Sequence, residues 1–398
     1  MTEPRTGRAD GDGSNVAHPR VTDVLRAFLG AARTLNVFTE RQDLVLNRIT
    51  RCQTAAMGGH LMRCMACGES TPLYNSCRDR HCPQCGWRAQ QRWLDQRQER
   101  LLPVPYFHTV FTIPTELRPF VAANRTLLYA LLFEAVSKTL LTCARDPERL
   151  GATPALTLLL HTWDRKLQFH PHIHGVISAG GLTPDGEWKA TTRPGRKSFL
   201  FPVRVMGKLF KQAFLTAVID MLWRSELSVP DSIASDVLDR LRAAARADWV
   251  VYAKRPFAGA AHVYRYLGRY THRVGISNSR IIALDERDVR FHTKGGQAVT
   301  IPGVEFVRRF AQHVLPQGFT RIRHYGLVSA SNVNTRWLEA YAELAPAADP
   351  VDHTPDESSD RLTDSVIAEH DPAAAHFCVP CFRARARLQR APPELNTS

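Results

Sequence analysis

The sequence predicts an α+β fold built around an antiparallel sheet, and three observations lead to that prediction. Short apolar runs typical of strands are mixed with longer runs of helical periodicity. The two kinds of run do not alternate regularly, as the βαβ units of a parallel sheet would require. Turn signals such as Gly180-Gly181 and Pro184-Asp185-Gly186 separate neighbouring strand-like runs, which favours hairpins. The 398 residues suffice for two or three domains, and 44% of them are hydrophobic, as is usual in soluble folded proteins.

The first half of the chain is expected to contain two helices and a strand. A polar stretch over residues 1–20, predicted to be disordered, precedes a helical pattern that begins at Val21, with Asp23 as a candidate N-cap before Val24. A strand is predicted over Tyr106–Ile113, and a buried helix includes Leu127–Val136.

The second half is expected to contain most of the sheet. Strands are predicted over 156–163, 172–179 and 247–252, with helices over 205–222 and 262–272 and a hairpin formed by 276–284 and 289–292. The last ordered unit is predicted to end near Leu327, and residues 345–398 read as a flexible tail that is first acidic and then basic.

The net charge of +14 is unevenly distributed along the chain. Residues 349–371 carry eight acids and one arginine, a net charge of −7, which leaves +21 on the other 375 residues. A surplus of this size favours a polyanionic partner, either nucleic acid or an acidic membrane surface, although a merely basic soluble protein would show it too.

Membrane and secreted classes are disfavoured. No run reaches the roughly 18 uninterrupted apolar residues needed to span a bilayer, because Glu134 and Lys138 interrupt the most apolar stretch. The polar N-terminus shows no secretory signal. We therefore expect a cytoplasmic protein without a membrane partner.

Six of the nine cysteines lie before residue 86 and indicate metal ligation. Two C-x2-C pairs, Cys64/Cys67 and Cys82/Cys85, have the spacing of zinc knuckles, in which each pair of thiolates holds one side of a tetrahedral ion. They predict one structural zinc site, with buried or redox-active thiols as the alternative. A possible second site, or simply packing of a small core, is indicated by Cys52, His60, Cys77 and His81.

Two further features of the cysteines and their surroundings stay open at this stage. Cys378 and Cys381 form a third C-x2-C pair, a half-site without a partner in the sequence. Arginines around the knuckles, among them Arg78 and Arg80, are candidate DNA contacts, or else part of a solvated face.

The run His170-Pro171-His172-Ile173-His174 is the most informative stretch for chemistry. On a strand, His172 and His174 project from one face and can converge on one metal ion. Satisfied or exposed histidines are the alternative. His170 would share that face only if the strand continued through Pro171, which proline disfavours. Imidazole ligands by themselves favour Zn, Mn or Ni over Mg.

A basic stretch with paired tyrosines follows. Residues 249–284 contain no acid and six basic residues, and on a helix Tyr266 and Tyr270 lie on the same face. A tyrosine hydroxyl, with a pKa near 10, needs a metal or cations to attack a phosphodiester. Arg265, Arg269 and Arg273 supply positive charge there. The alternative is that the tyrosines stack in a core or on bases.

Together these motifs resemble the rolling-circle transposases of bacterial insertion sequences, the two-tyrosine HUH enzymes of the IS91 type. The matching segments, from GGHLMRCMACG and NSCRDRHCPQC through FHPHIHGVI to YLGRYTHRVGISNSRI and FTRIRHYGL, span about residues 45–330 in the family order. The resemblance implies an HUH catalytic domain over 99–335, with a central antiparallel sheet flanked by helices. It also implies a zinc-binding, DNA-binding module over 21–98.

The resemblance also implies roles for individual residues. His172 and His174 match the ligands of a divalent catalytic ion, normally Mg²⁺ or Mn²⁺, with His170 and His161 as candidates for a third ligand. Tyr266 and Tyr270 match the catalytic tyrosines, which cut single-stranded DNA through a 5′-phosphotyrosine and transfer it. The expected partner is DNA at the element ends and target, with no small-molecule substrate. The rival hypotheses are a rolling-circle replication initiator, a non-enzymatic zinc-finger DNA-binding protein and a metal-dependent hydrolase.

Overall fold

The computed structural model describes residues 19–86, 100–191, 201–257, 275–293 and 295–344, together with residue 381. The helices in these ranges are α1 (Val21–Leu35), α2 (Glu40–Thr50), α3 (Arg118–Ala123), α4 (Arg125–Arg145), α5 (Val203–Trp223), α6 (Val237–Arg246), α7 (Gly303–Ala311) and α8 (Arg336–Leu344). The strands are β1 (Gly59–Arg63), β2 (Ser70–Tyr74), β3 (Tyr106–Thr112), β4 (Ala155–Trp163), β5 (Phe169–Ser178), β6 (Gly180–Leu182), β7 (Trp188–Ala190), β8 (Val251–Phe257), β9 (Ile281–Leu284), β10 (Asp288–His292), β11 (Ala298–Pro302) and β12 (Ile322–Gly326).

A five-stranded antiparallel sheet forms the centre of the molecule, in the order β12-β4-β5-β3-β8. The predicted α+β class is therefore confirmed. Several boundaries differ from the prediction, among them the starts of two strands of the central sheet. β8 starts at Val251 rather than at residue 247, and β5 starts at Phe169 and passes through Pro171. Proline is tolerated there because the register with β4 shifts at this point and the pairing with β3 ends at His172.

One face of the sheet packs against α4 and α5. Odd-numbered residues of β3 and β5, such as Phe111 and Ile173, join apolar residues of the two helices in the largest hydrophobic core. By length and composition α4 is apolar enough to cross a membrane, but 67% of its most apolar window is buried in this core. The helix therefore serves as the central core helix of this domain, and the opposite face of the sheet remains for other elements.

A second core joins the N-terminal helices to a later part of the chain. Buried residues of α1 and α2 pack with those of α7 and of the three-stranded sheet β9–β11. Gly303 at the start of α7 approaches Phe28 of α1 so closely that an added Cβ would lie within 2.2 Å of the ring. Asp23 is not the N-cap of α1: Arg20 holds that position, and the Asp23 carboxylate accepts its backbone N–H at 2.8 Å.

The ordered fold continues beyond Leu327, where the sequence predicted its end. α8 packs beside β6 and β7, and the Trp337 indole donates a hydrogen bond to the carbonyl of Arg100. Trp337 and Ala340 of α8 form a small core with Leu102 and Tyr106. The alanine-rich composition after residue 339 is similar to that of a flexible tail, so the amphipathic face that α8 buries was not predicted. The helix predicted over 262–272 lies outside the described residues.

Candidate metal centres

Three histidines meet on the face of the central sheet that lies opposite α4 and α5. His172 and His174 lie two residues apart on β5 and project from the same face. His161 of β4 is the register partner of His172 and stands beside it. The ligand nitrogens of the three all lie within 4.8 Å of one another. Of the two candidates for a third ligand, the structure brings His161 to the predicted pair, whereas His170 is not part of this group.

Hydrogen bonds orient two of these rings. The Nδ1 atom of His172 donates to the carbonyl oxygen of His170 at 2.7 Å. The Nδ1 atom of His174 lies 2.9 Å from Nε2 of His108 on β3, and the two rings stack at an interplanar angle of 11°. The Nε2 atoms of His172 and His174 then face each other at 3.1 Å. Neighbouring ligands of an octahedral ion with bonds of about 2.1 Å stand about 3.0 Å apart, so this separation fits a shared divalent cation.

Sequence reasoning missed His108. Its place in the site follows from strand pairing, which one strand's periodicity does not show: His108 pairs with Val176 across β3 and β5, and Val110 pairs with His174. Even-numbered residues of both strands therefore share one face of the sheet. The hydrogen bond at the second ring nitrogen of a metal-ligating histidine fixes its tautomer, and His108 is in position to make that bond with His174.

The turn between β4 and β5 sets the register on which the histidine group depends. The Asp164 carboxylate accepts the backbone N–H groups of Lys166 and Gln168, each at 2.8 Å. Behind the turn, the fully buried His313 donates from Nε2 to the Leu167 carbonyl at 3.1 Å and accepts from the Thr162 hydroxyl at 3.2 Å. Burial lowers the pKa of His313 to about 4, so it is neutral and acts as a structural support for the turn.

A second group consists of four cysteines, Cys52, Cys77, Cys82 and Cys85, whose sulfurs all lie within 4.8 Å of one another. Cys85 Sγ lies 3.6 Å from Sγ of both Cys52 and Cys77. A tetrahedral ion with Zn–S bonds of about 2.3 Å separates its sulfurs by about 3.8 Å. The spacing is far longer than a disulfide bond of about 2.0 Å and fits zinc. Hydrogen bonds from Cys77 and Cys82 lower the pKa of Cys85, whereas the hydrogen bonds to Cys77 and Cys85 and burial raise the pKa of Cys82.

This grouping differs from the expected one. The sequence paired Cys64 and Cys67 with Cys82 and Cys85, but the structure places the first pair in another group, with Cys381. The reason is the hairpin β1–β2. Its open end, where the Gln53 N–H bonds to the Asn75 carbonyl, brings the flanking Cys52 and Cys77 together. Cys64 and Cys67 lie at its tip, about 16 Å away along a five-residue strand.

The two histidines proposed for a second zinc site do not join the cysteines. His81 is buried, and both of its ring nitrogens have other partners. Nδ1 donates to the Asp79 carboxylate at 2.8 Å, and Nε2 accepts the backbone N–H of Leu315 at 3.0 Å. Burial lowers the pKa of His81, with the Asp79 carboxylate opposing the shift. His81 thus ties the cysteine module to the segment after α7, while His60 is exposed on β1 and belongs to no metal-ligand group among the described residues.

The two arginines proposed as DNA contacts near the cysteines differ in their surroundings. The Arg80 guanidinium donates to the backbone carbonyls of Phe319 at 2.6 Å and Pro316 at 3.0 Å, so it serves the packing of the module. Arg78 is exposed and keeps its candidate role in DNA binding. The remaining candidates lie outside the described residues, namely Tyr266 and Tyr270 with Arg265, Arg269 and Arg273.

Comparison with known proteins identifies the family of the chain. The family described as "Transposase zinc-binding domain" (Zn_Tnp_IS91) matches residues 24–113, which contain the four-cysteine group. The family described as "Putative transposase" (Y2_Tnp) matches residues 156–336, which contain β4 and β5 with the histidine group. The chain is also 41% identical over 322 residues to "Putative transposase y4qJ" of Sinorhizobium fredii (strain NBRC 101917 / NGR234), covering 78% of this chain and 80% of that protein. The chain belongs to the IS91-type transposases.

A second relative of the transposase agrees with this assignment. The "Transposase for insertion sequence element IS801" of Pseudomonas savastanoi pv. phaseolicola is 29% identical over 328 residues, covering 78% of this chain and 76% of that protein. No solved structure matches the transposase. The zinc-binding domain of the family and the four-cysteine group together indicate Zn²⁺ as a bound metal.

Proposed function

We propose that this transposase cuts and transfers single-stranded DNA through a 5′-phosphotyrosine intermediate, in the manner of rolling-circle transposition. The observation that carries the proposal is the convergence of His161, His172 and His174 on the central sheet of a transposase. A regulator that only binds DNA has no use for three imidazoles arranged around one point.

The histidine group is proposed to hold a divalent cation, Mg²⁺ or Mn²⁺. Three neutral nitrogen ligands suit Mn²⁺ better than Mg²⁺, which prefers oxygen. When bound, such an ion polarises the scissile phosphate as a Lewis acid. The chain's own contribution is the orientation of the ligands: the carbonyl of His170 and the ring of His108 hold the Nδ1 sides of His172 and His174.

The chemical step is assigned to Tyr266 or Tyr270, on the strength of the sequence motif. The phenol oxygen forms a bond to the phosphorus, and the bond from phosphorus to the 3′ oxygen breaks. The phenol gives up its proton and the departing 3′ oxygen takes one up, which leaves a free 3′-OH and a 5′-phosphotyrosine. The linkage keeps the energy of the phosphodiester, so attack by a 3′-OH on the phosphotyrosine releases the tyrosine and reseals the strand without ATP, while the second tyrosine can take a second strand.

DNA is the proposed partner, held by the zinc module and by the basic residues around the tyrosines. Outside the acidic segment 349–371 the chain carries +21, which supplies the long-range attraction that phosphates require. Arg78, Arg265, Arg269 and Arg273 are proposed phosphate contacts. A protein acting on the ends of an element within the chromosome would work in the cytoplasm at the nucleoid.

The test is a denaturing gel with the full-length chain and a 3′-labelled oligonucleotide from the end of the element. We expect the label to move to a protein-sized band with Mn²⁺ and to stay unbound with EDTA. His161→Ala should reduce the adduct at least about tenfold. His292→Ala, at an exposed position on β10, is the matched control and should leave it unchanged.

The tyrosines are tested by Tyr266→Phe/Tyr270→Phe, which should abolish the adduct. Persistence of the adduct in this double variant would refute the assignment. Cleavage by the wild-type chain without any adduct would instead point to a hydrolase.

A further inference from the structure

A cysteine near the end of the chain meets two cysteines of the N-terminal module. The sulfurs of Cys64, Cys67 and Cys381 all lie within 4.8 Å of one another. The described part of the chain contains no disulfide. This group is separate from the four-cysteine group, which already has a complete tetrahedral set of its own ligands.

The turn at the tip of the hairpin β1–β2 is shaped as a metal knuckle. The Cys64 N–H donates to the Glu69 carbonyl at 2.7 Å, and the Gly68 N–H donates to the Cys64 carbonyl at 2.9 Å. Gly68 has a φ of 76°, a left-handed conformation that glycine adopts at little cost. The turn therefore directs two sulfurs, three residues apart, to one side of a common point. Arg63 donates to the Gly68 carbonyl at 3.3 Å and places positive charge beside the thiolates.

We propose that Cys64, Cys67 and Cys381 are ligands of a second structural zinc ion that fastens the C-terminal tail to the N-terminal hairpin. Three converging sulfurs with one more donor make the tetrahedral set that zinc prefers in structural sites. Cys378 stands three residues before Cys381 in the sequence, which is the knuckle spacing, but it lies outside the described residues, and the proposal rests on the three described sulfurs.

Such a site would close a long loop of the chain. Residues 345–380, including the acidic segment 349–371, would be tied at one end to α8 and at the other to the module. A cross-link between distant residues stabilises a fold mainly by restricting the unfolded chain. The proposal does not depend on the strand-transfer chemistry, because none of its ligands belongs to the histidine group or the tyrosine motif.

The primary test is the zinc content of the full-length protein, measured by elemental analysis after exhaustive dialysis. We expect two zinc ions per chain in the wild type and one in both Cys381→Ser and Cys64→Ser. Cys52→Ser should also hold one, and Cys52→Ser/Cys381→Ser none. Cys143→Ala, a buried cysteine of α4 outside both groups, is the matched control and should keep two.

A second measurement does not depend on how the variants fold. A specific protease site is inserted between residues 350 and 360 of the otherwise wild-type chain, and the cleaved protein is passed through a sizing column. The tail fragment should co-elute with the body and separate from it after zinc chelation. One zinc ion in the wild type, two in Cys381→Ser, or separation of the tail without chelation would each overturn the proposal.

Discussion

His108 should control the affinity of the histidine group for its cation, although it is not proposed as a ligand. To bind a cation through Nε2, His174 must carry its proton on Nδ1. That proton then needs an acceptor, and Nε2 of His108 lies 2.9 Å away. His108→Phe removes the acceptor and retains a ring that can stack on His174, as the imidazole does at 5.2 Å between centroids.

The size of the effect follows from burial. His108 is 5% exposed, so water is poorly placed to replace the lost acceptor. A buried N–H without a partner costs about 1–3 kcal/mol, and each 1.36 kcal/mol is a factor of ten in affinity. We therefore expect Mn²⁺ affinity to fall about 10- to 100-fold in His108→Phe, the range typical of a lost outer-shell partner. His108→Gln, which restores an acceptor, should recover part of the loss.

The assay is titration of full-length, zinc-loaded protein with Mn²⁺, following the electron paramagnetic resonance signal of the unbound ion. Zinc content is measured in parallel and should not change, because His108 lies in the central sheet, outside both cysteine groups. Affinity within twofold of the wild type in His108→Phe would refute the inferred tautomer and the role of the hydrogen bond.

Three further predictions concern stability. Burial holds the pKa of His313 at about 4, below its ordinary 6.5. Between these two pH values the unfolded chain therefore binds a proton on this histidine that the folded chain does not bind. Stability should therefore be full above pH 6.5 and fall by about 2 kcal/mol at pH 5; urea unfolding should show this decline, and His313→Gln should flatten it. Gly303→Ala should lower the free energy of unfolding by about 1–3 kcal/mol, because the added methyl group clashes with the Phe28 ring of α1. Gly30→Ala in α1, where the added methyl group meets open space, should raise it by up to about 1 kcal/mol; thermal unfolding measures both changes. Arg80→Gln should lower the free energy of unfolding by about 1–3 kcal/mol and leave DNA affinity unchanged. Arg78→Gln should leave stability unchanged and weaken DNA binding in a filter-binding assay.

Much of the histidine site could be predicted because strand parity is a local property. Alternation alone put His172 and His174 on one face, and in the structure their ring nitrogens lie close together. His161 and His108 depend on how strands pair, and pairing is set by the β4–β5 turn and by the sheet order. Periodicity along one strand carries no information on its neighbours, so these two positions could not be fixed in advance.

The cysteine groups could be predicted only in part. Spacing found the C-x2-C pairs, but it could not decide which pairs share an ion. The five-residue strands β1 and β2 move one pair to the tip of a hairpin and bring Cys52 and Cys77 together at its base. Cys381 joins from a part of the chain that no local rule connects with the hairpin. Ligand sets assembled over such distances follow from tertiary structure rather than from motif spacing.

The core shared by α1, α2, α7 and β9–β11 has a consequence for how these transposases diversify. A recognition module with its own core could be exchanged between related elements by recombination, in the way that independent domains are shuffled. Here the N-terminal helices complete a core whose other half comes after residue 275. An exchanged module would meet unmatched side chains across that core. Specificity for new element ends is therefore expected to arise through substitutions on the exposed surface of the module, and the two halves of the chain should be inherited together.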